Sequence, residues 1–238
     1  MQQRYNEYEQ PIGPPVAGWA ARPEPPSTPM DGRFCRVEPV DLERHARDLY
    51  EAFSEAPDGR DWTYMTIGPF PDLASYKEYL ALAVASPDPF HHAIIDLASG
   101  KAIGTVALMR IDRPNGVIEV GSVTYSRRLK RTPAATETMF LLMRRVFDEL
   151  GYRRYEWKCD HFNAPSRAAA LRYGFRYEGI FRNATVYKGR SRDTAWYSMT
   201  DAEWPAIRRA YEQWLEPANF DASGMQRKRL ADFVAVRA

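Results

Sequence analysis

The sequence predicts an α+β fold, a mixed and largely antiparallel sheet with helices on both faces. Three observations carry that prediction. Three alternating apolar stretches follow one another with only turn residues between them, which is the pattern of an antiparallel meander. Stretches with helical periodicity stand both before and after the meander. The order of segments (strand, two helices, three strands, helix, strand, helix, hairpin) is neither a strict strand–helix alternation nor an all-β run.

Residues 1–30 are dense in proline, as in "QPIGPPVAGWAARPEPPSTPMDG", which excludes regular helix and central strand. They are predicted to form an extended arm whose Ile12, Val16 and Trp19 rest on the domain surface or on a partner. "RFCRVEPV" alternates as a strand, and Asp41 then caps a helix to about Ser54, with Leu42, His45, Leu49, Ala52 and Phe53 on one face. "DGRDWTYMTIGPF" is an aromatic loop, followed by a helix over 73–85 that Asp72 starts. "FHHAIIDL", "KAIGTVALMRID" and "GVIEVGSVTYS" are the meander strands, turning at Ser99-Gly100 and at Pro114-Asn115-Gly116.

"SRRLKRTPAATETMF" then leads into a helix over 134–149 closed by Gly151. "RRYEWKCD" is a strand, and "NAPSRAAALRYGF" a short helix with Asn163 at its cap, Pro165 in its first turn and Gly174 at its end. A hairpin turns at Lys188-Gly189-Arg190, and residues 201–215 form a last helix, followed by a polar and loosely held tail. The expected organisation is an extended arm over 1–30, one domain over 31–200, and a C-terminal helix and tail over 201–238.

Composition narrows the function. A net charge of +2, from 33 basic and 31 acidic residues, argues against a dedicated nucleic-acid binder. The two cysteines, Cys35 and Cys159, have no paired spacing and no histidine cluster nearby, so neither a zinc site nor a disulfide framework is expected. There is no basic-then-apolar leader and no run of about 18 apolar residues to span a membrane, so a cytoplasmic protein is expected.

The junction at residues 126–140 carries the first chemical signal. A strand–loop–helix turn suits a phosphate, because N–H groups at a helix start and the helix dipole favour an anion. Such loops normally carry glycine, whereas this one has none, four cationic side chains and Pro133. It is either an anion site built differently or a solvated basic turn.

With "NAPSRAAALRYGFRYEG" added, the chain resembles the GNAT superfamily of acetyl-CoA-dependent N-acyltransferases over roughly residues 33–200, and is most similar to the branch that contains the ribosomal-protein N-terminal acetyltransferases. "VTYSRRLKRTPAATE" occupies the place of the family's Arg/Gln-x-x-Gly-x-Gly/Ala pyrophosphate loop, and the second motif matches the family's Asn-x-x-Ser helix with its Gly-Phe and Glu-Gly. Aligned on Thr136-Glu137, Arg128 falls at the leading Arg/Gln, while Arg131 and Pro133 fall where glycines are usual.

The resemblance implies acetyl-CoA as cofactor. It would be held by main-chain groups of Val123 and Tyr125, by Arg128, Arg131, Thr132, Ala134 and Ala135 around the pyrophosphate, and by Asn163 and Arg167 at the second helix. Backbone N–H groups from Leu129 to Ala135, Pro133 excepted, are expected to face the anion.

Ser166 is expected to protonate the leaving thiolate, since a hydroxyl on a positive helix end is a reasonable donor. The family's glutamate nineteen residues after the serine is Thr185 here, so the base must come from elsewhere: Glu119 is the first choice and Asp160 the second, with Glu156 near them. Trp62, Tyr64 and Phe70 are expected to wall the acceptor, a small-molecule or peptide amine, or else to pack in the core.

The leading expectation is an N-acetyltransferase acting by direct attack of a primary amine on the thioester. The alternative is a non-catalytic acyl-CoA-binding or regulatory module, which the missing loop glycines and missing family glutamate favour. Cys159 as a covalent nucleophile is a minor rival. The arm and the C-terminal helix offer surfaces for a homodimer, and no metal, membrane or nucleic-acid partner is expected.

Overall fold

A computed structural model describes residues 3–234; the first two residues of the arm and the last four of the tail lie outside it. Eight strands form one sheet in the order β3 (Met30–Asp31), β4 (Cys35–Pro39), β5 (Phe90–Asp96), β6 (Ala102–Asp112), β7 (Val117–Tyr125), β8 (Arg154–Asp160), β10 (Arg190–Thr200) and β9 (Arg176–Tyr187). Every neighbouring pair is antiparallel except β7 and β8, which run parallel. The expected mixed sheet is therefore present, and its one parallel pair lies in the middle.

Helices α1 (Leu42–Ser54) and α2 (Leu73–Ala85) cover one face, through a small core that includes Ala46, Leu49, Tyr76, Leu80 and Ala93. Both begin where the sequence places them, because Asp41 and Asp72 accept hydrogen bonds from the N–H groups of Arg44 and Ser75, both at 2.8 Å. His45 secures α1 to β4. Its Nδ1 accepts from the Asp41 N–H at 3.0 Å, so Nε2 carries the proton and donates to Glu38, also at 3.0 Å.

The other face carries α3 (Pro133–Arg144), α4 (Ala164–Arg172) and α5 (Trp204–Leu215) over the larger core of Ile118, Val120, Leu142, Tyr155 and Tyr211. The helix expected over 134–149 changes hydrogen-bonding pattern part-way: α3 ends at Arg144 and a π-helical turn spans Arg145–Glu149. The final helix starts at Trp204, three residues later than its acidic lead-in suggests.

Two appendages fold onto the domain. Trp19 of the arm donates through Nε1 to the Pro114 carbonyl at 2.8 Å, and Arg145 donates to the Thr28 carbonyl at 3.2 Å. A short hairpin of β1 (Arg4–Tyr5) and β2 (Pro11–Ile12) stands outside this contact, with Tyr5, Tyr8 and Ile12 exposed. The tail is more ordered than its polarity suggests. Phe220 and Leu230 are buried, the Trp214 indole donates to Gln226, and Asn219 bonds the carbonyls of Trp214 and Lys228. Two buried apolar side chains, Phe220 and Leu230, with the bonds of Asn219 and Gln226, close this polar stretch back on α5.

Candidate active site

The site begins with a defect in the sheet. β7 pairs with β8 only from Val117↔Arg154 to Val120↔Trp157. Beyond that point β7 remains paired with β6, but through a bulge between Thr105 and Ala107, opposite which Ser122 adopts φ +48°. A bulge bends its strand and adds local twist, so β7 turns away and Gly121–Tyr125 have no strand on their β8 side among the described residues. The main chain of Val123 and Tyr125 lies in this parted segment, as the sequence reading requires, and both residues are half-buried.

The loop after β7 supplies one wall. Leu129 is fully buried and anchors the loop against Gly104, where a Cβ would come within 2.6 Å of its Cδ2. Arg131, at a position where glycine is usual, adopts φ +65°. The loop thus has a left-handed residue without having the glycine, at a backbone cost of about 1–2 kcal/mol. Thr132 caps α3: its Oγ1 accepts from the Ala135 N–H at 3.2 Å and donates to the Leu129 carbonyl at 2.7 Å.

This geometry revises the expected anion contacts. The N–H groups of Leu129 and Lys130 bond to the Ser126 carbonyl, that of Thr132 to Leu129, and that of Ala135 to Thr132. Those of Arg131 and Ala134 make no hydrogen bond among the described residues. The Ser126 hydroxyl at the foot of the loop is buried without a partner. Two unengaged N–H groups at a helix start, an orphaned hydroxyl and an unpaired strand edge fit a pantetheine-linked pyrophosphate. A concavity of about 540 Å³ opens between the start of α3 and the β5–β6 turn, lined by Phe34, Leu97, Arg128, Thr132 and Ala134 among others, so it adjoins the Ala134 end of the loop and not the β7 edge. Arg128 itself is engaged, donating from Nε to Glu55 at 2.9 Å.

The second wall is the start of α4. Asn163 caps it by accepting from the Ser166 N–H at 3.1 Å. Ser166 Oγ accepts from the Trp157 indole N–H at 3.1 Å. An indole can only donate, so the hydroxyl proton of Ser166 is not used in that bond. The Cys159 thiol lies beside the same hydroxyl; burial holds it above its usual range and the hydroxyl pulls the other way. A thiol held protonated is a poor nucleophile, which weighs against the covalent rival. Arg167, expected near the cofactor's phosphates, donates to the Tyr197 hydroxyl of β10 at 3.2 Å and to the His161 carbonyl at 3.4 Å.

On the α1–α2 face, the end of the paired segment carries a buried charge cluster. Glu119 Oε2 meets Arg110 at 2.7 Å and Lys158 Nζ at 2.9 Å. Lys158 also meets Glu156 at 2.7 Å and lies 3.9 Å above the Trp196 ring. Glu119 Oε1 makes neither contact and lies 3.4 Å from where a Cβ on Gly121 would be, towards the parted segment. Asp160 has both oxygens occupied: Oδ1 accepts from the Phe162 N–H at 2.8 Å and Oδ2 from the Tyr187 hydroxyl at 2.7 Å. Sequence reasoning missed Lys158, Trp196 and Tyr187; strand alternation from Glu156 to Asp160 puts Lys158 on their face, but nothing local announces that it bridges two carboxylates.

Trp62 and Phe70 are taken up by the α1–α2 layer. Trp62 is buried edge-to-face against Phe53 and Phe70, and Phe70 against Tyr76. Tyr64 is half-buried. No group of residues able to hold a metal ion occurs among the described residues, and none of their helices is long and apolar enough to cross a membrane.

A central parallel pair that parts beside two capped helix starts defines an acyl-transfer fold rather than a hydrolase or nucleotide-binding sheet. Residues 36–176 match the acetyltransferase (GNAT) domain family, to which the chain belongs, and which makes it an N-acetyltransferase of the acyltransferase class. It is similar to a GCN5-related N-acetyltransferase from Brucella melitensis, with a TM-score of 0.90 and 49% identity, covering 92% of this chain and 99% of that one. An acetyltransferase of the same family from Chromobacterium violaceum has a TM-score of 0.77 and 40% identity over 83% of this chain and 98% of its own. An uncharacterized N-acetyltransferase p20 of Bacillus licheniformis is 27% identical over 144 residues, which is 59% of this chain and 80% of that protein.

Proposed function

We propose that the protein transfers acetyl from acetyl-CoA to a primary amine, a small molecule or a peptide N-terminus. The observation that carries this reading is the parting of β7 from β8 after Val120↔Trp157, flanked by the starts of α3 and α4. Acetyl-CoA supplies an activated thioester that an amine attacks directly, with no covalent enzyme intermediate.

The chain's own groups have distinct tasks. Arg131 and Ala134 offer N–H groups to the pyrophosphate, and the unpaired edge of β7 pairs with the pantetheine arm. Ser166 holds a proton available for a sulfur leaving group. Glu119 Oε1, beside Gly121, is placed to receive a proton from the amine, directly or through a water. Its ion pairs with Arg110 and Lys158 hold the carboxylate in position. Asp160 accepts from Phe162 and Tyr187 on both of its oxygens, whereas the ion pairs of Glu119 are on Oε2 and its Oε1 lies beside Gly121, so Glu119 is the first candidate for the base.

Free-thiol release from acetyl-CoA across a panel of amines tests the reading: amine-dependent release is expected, and CoA binding without turnover on any amine would instead support a non-catalytic module. The glycine-like backbone of Arg131 weighs against that module, because the loop geometry survives the missing glycines.

The loop cations give a second prediction. R128A/R131G should weaken CoA binding at least tenfold in calorimetry, as loss of charge-assisted contacts to phosphate implies, with acceptor binding much less affected. Glycine is preferred to alanine at residue 131 because it keeps the left-handed backbone without strain. Unchanged CoA affinity would mean that the main chain alone holds the anion.

A further inference from the structure

We propose that Glu55 and Asp61 are positioning residues that tie the cofactor loop to a strap crossing the acceptor face, so that a bound polyanion frees one end of the strap by taking their cationic partners. The inference rests on the acetyl-CoA reading above and adds to it a competition between two carboxylates and the cofactor for the same cations.

The strap is the segment from Glu55 to Gly68, between α1 and α2. Its near end is held to the cofactor loop by two ion pairs, Arg128 to Glu55, through Nε at 2.9 Å and through a second, shorter contact, and Lys130 Nζ to Asp61 at 2.7 Å. Its far end is held by the tip of the β9–β10 hairpin. There Lys188 Nζ donates to three carbonyls, Trp62 at 2.9 Å, Ile67 at 3.1 Å and Gly68 at 2.8 Å, and Arg190 donates to the Thr63 carbonyl at 2.7 Å. Between these anchors the strap is wound on Trp62, whose ring occupies the place a Cβ on Gly68 would need.

The location follows from the connections. The cofactor loop follows the C-terminal end of β7, and the hairpin tip stands at the C-terminal end of β8, where Tyr187 bonds Asp160. A strap joined to both therefore spans the ends of the two strands that part, on the α1–α2 side. An acceptor amine reaching the parted segment from that side must pass it.

The two ends differ in what can undo them. The near-end side chains are all between 33 and 42% exposed, and exposed ion pairs are weak. A pyrophosphate brings more negative charge to Arg128 and Lys130 than one carboxylate apiece, and accepts from a guanidinium in the same bidentate way. The far end consists of cations on backbone carbonyls, which an anion at the cofactor loop does not reach. Cofactor binding thus releases the strap at one end and leaves it hinged at the other.

The sign of the test is opposite to that of an ordinary contact residue. Removing the competing carboxylates in E55Q/D61N should tighten CoA binding by about two- to fivefold, the scale of an exposed ion pair, read by titration calorimetry. In the unmodified chain, CoA should speed amide hydrogen exchange across 56–61, and in E55Q/D61N that exchange should already be fast without it. CoA affinity that is unchanged or weaker in the variant overturns the inference, as does protection of 56–61 by CoA; in both cases CoA binding by the unmodified chain leaves the cofactor reading standing. If the unmodified chain binds no CoA at all, the cofactor reading fails and this inference falls with it.

Discussion

Ser166→Ala lowers kcat by about 100-fold, the lower end of what a positioned proton donor contributes, and leaves the acetyl-CoA KM within about threefold. The expectation comes from the hydrogen-bond direction at Ser166. Its oxygen is engaged by an indole that can only donate, while its proton is not needed there. The same hydroxyl already lies beside a sulfur, that of Cys159, which is the type of acceptor a departing thiolate presents.

An effect confined to kcat marks an interaction made in the transition state. Ser166→Thr keeps the hydroxyl and should recover most of the rate, which separates loss of the hydroxyl from a general disturbance of the helix start. Steady-state thiol release measures both variants. A Ser166→Ala enzyme within threefold of the unmodified rate would end the acid assignment and leave the serine as packing at a helix start.

Glu137→Ala should cost about 3–5 kcal/mol of stability, the scale of uncovering buried partners of a charge. Glu137 is almost fully buried on α3, and its two oxygens accept from three successive main-chain N–H groups: Arg33 at 2.7 Å, Phe34 at 2.6 Å and Cys35 at 2.9 Å. Those groups span the β3–β4 turn and the first residue of β4, so one carboxylate both fixes the turn and docks α3 against it. Alanine leaves one buried and two part-buried donors without this acceptor. For a chain of this size the melting temperature should fall by roughly 10 °C, and Glu137→Gln, which keeps one acceptor oxygen, should fall by less. A drop under about 3 °C on calorimetric melting would show that water replaces the carboxylate without penalty.

Much of this was legible from residue order because the deciding signals are local. Asp41, Asp72 and Asn163 each bond the N–H three residues on, and a cap is read from one residue and its neighbours. The hairpin turn at Lys188-Gly189 and the meander turns carry their own backbone preferences in the same way. The family motif was also contiguous, so Ser166 and the loop after β7 could be named.

What could not be read depends on pairs distant in sequence. Lys158 meets Glu119 across a gap of 39 residues, and Lys188 meets Trp62 across 126. Glu137 serves residues more than 100 positions earlier. Trp62 and Phe70 show the opposite failure: an aromatic-rich loop predicts either a substrate wall or packing with equal ease, and only their edge-to-face neighbours reveal the second use. Composition misled once, at the tail, where two well-spaced apolar side chains, Phe220 and Leu230, outweigh a polar average.

The bulge at Ser122 has a consequence for energetics as well as shape. Because a left-handed residue within β7 bends the strand, the two strands stand apart through the chain's own backbone conformation. A ligand that adds itself along β7 therefore breaks no ladder and reorders no strand. The work of separating the sheet is done during folding, once per molecule, and does not recur with each turnover, so the free energy of association is left for holding and aligning the reactants.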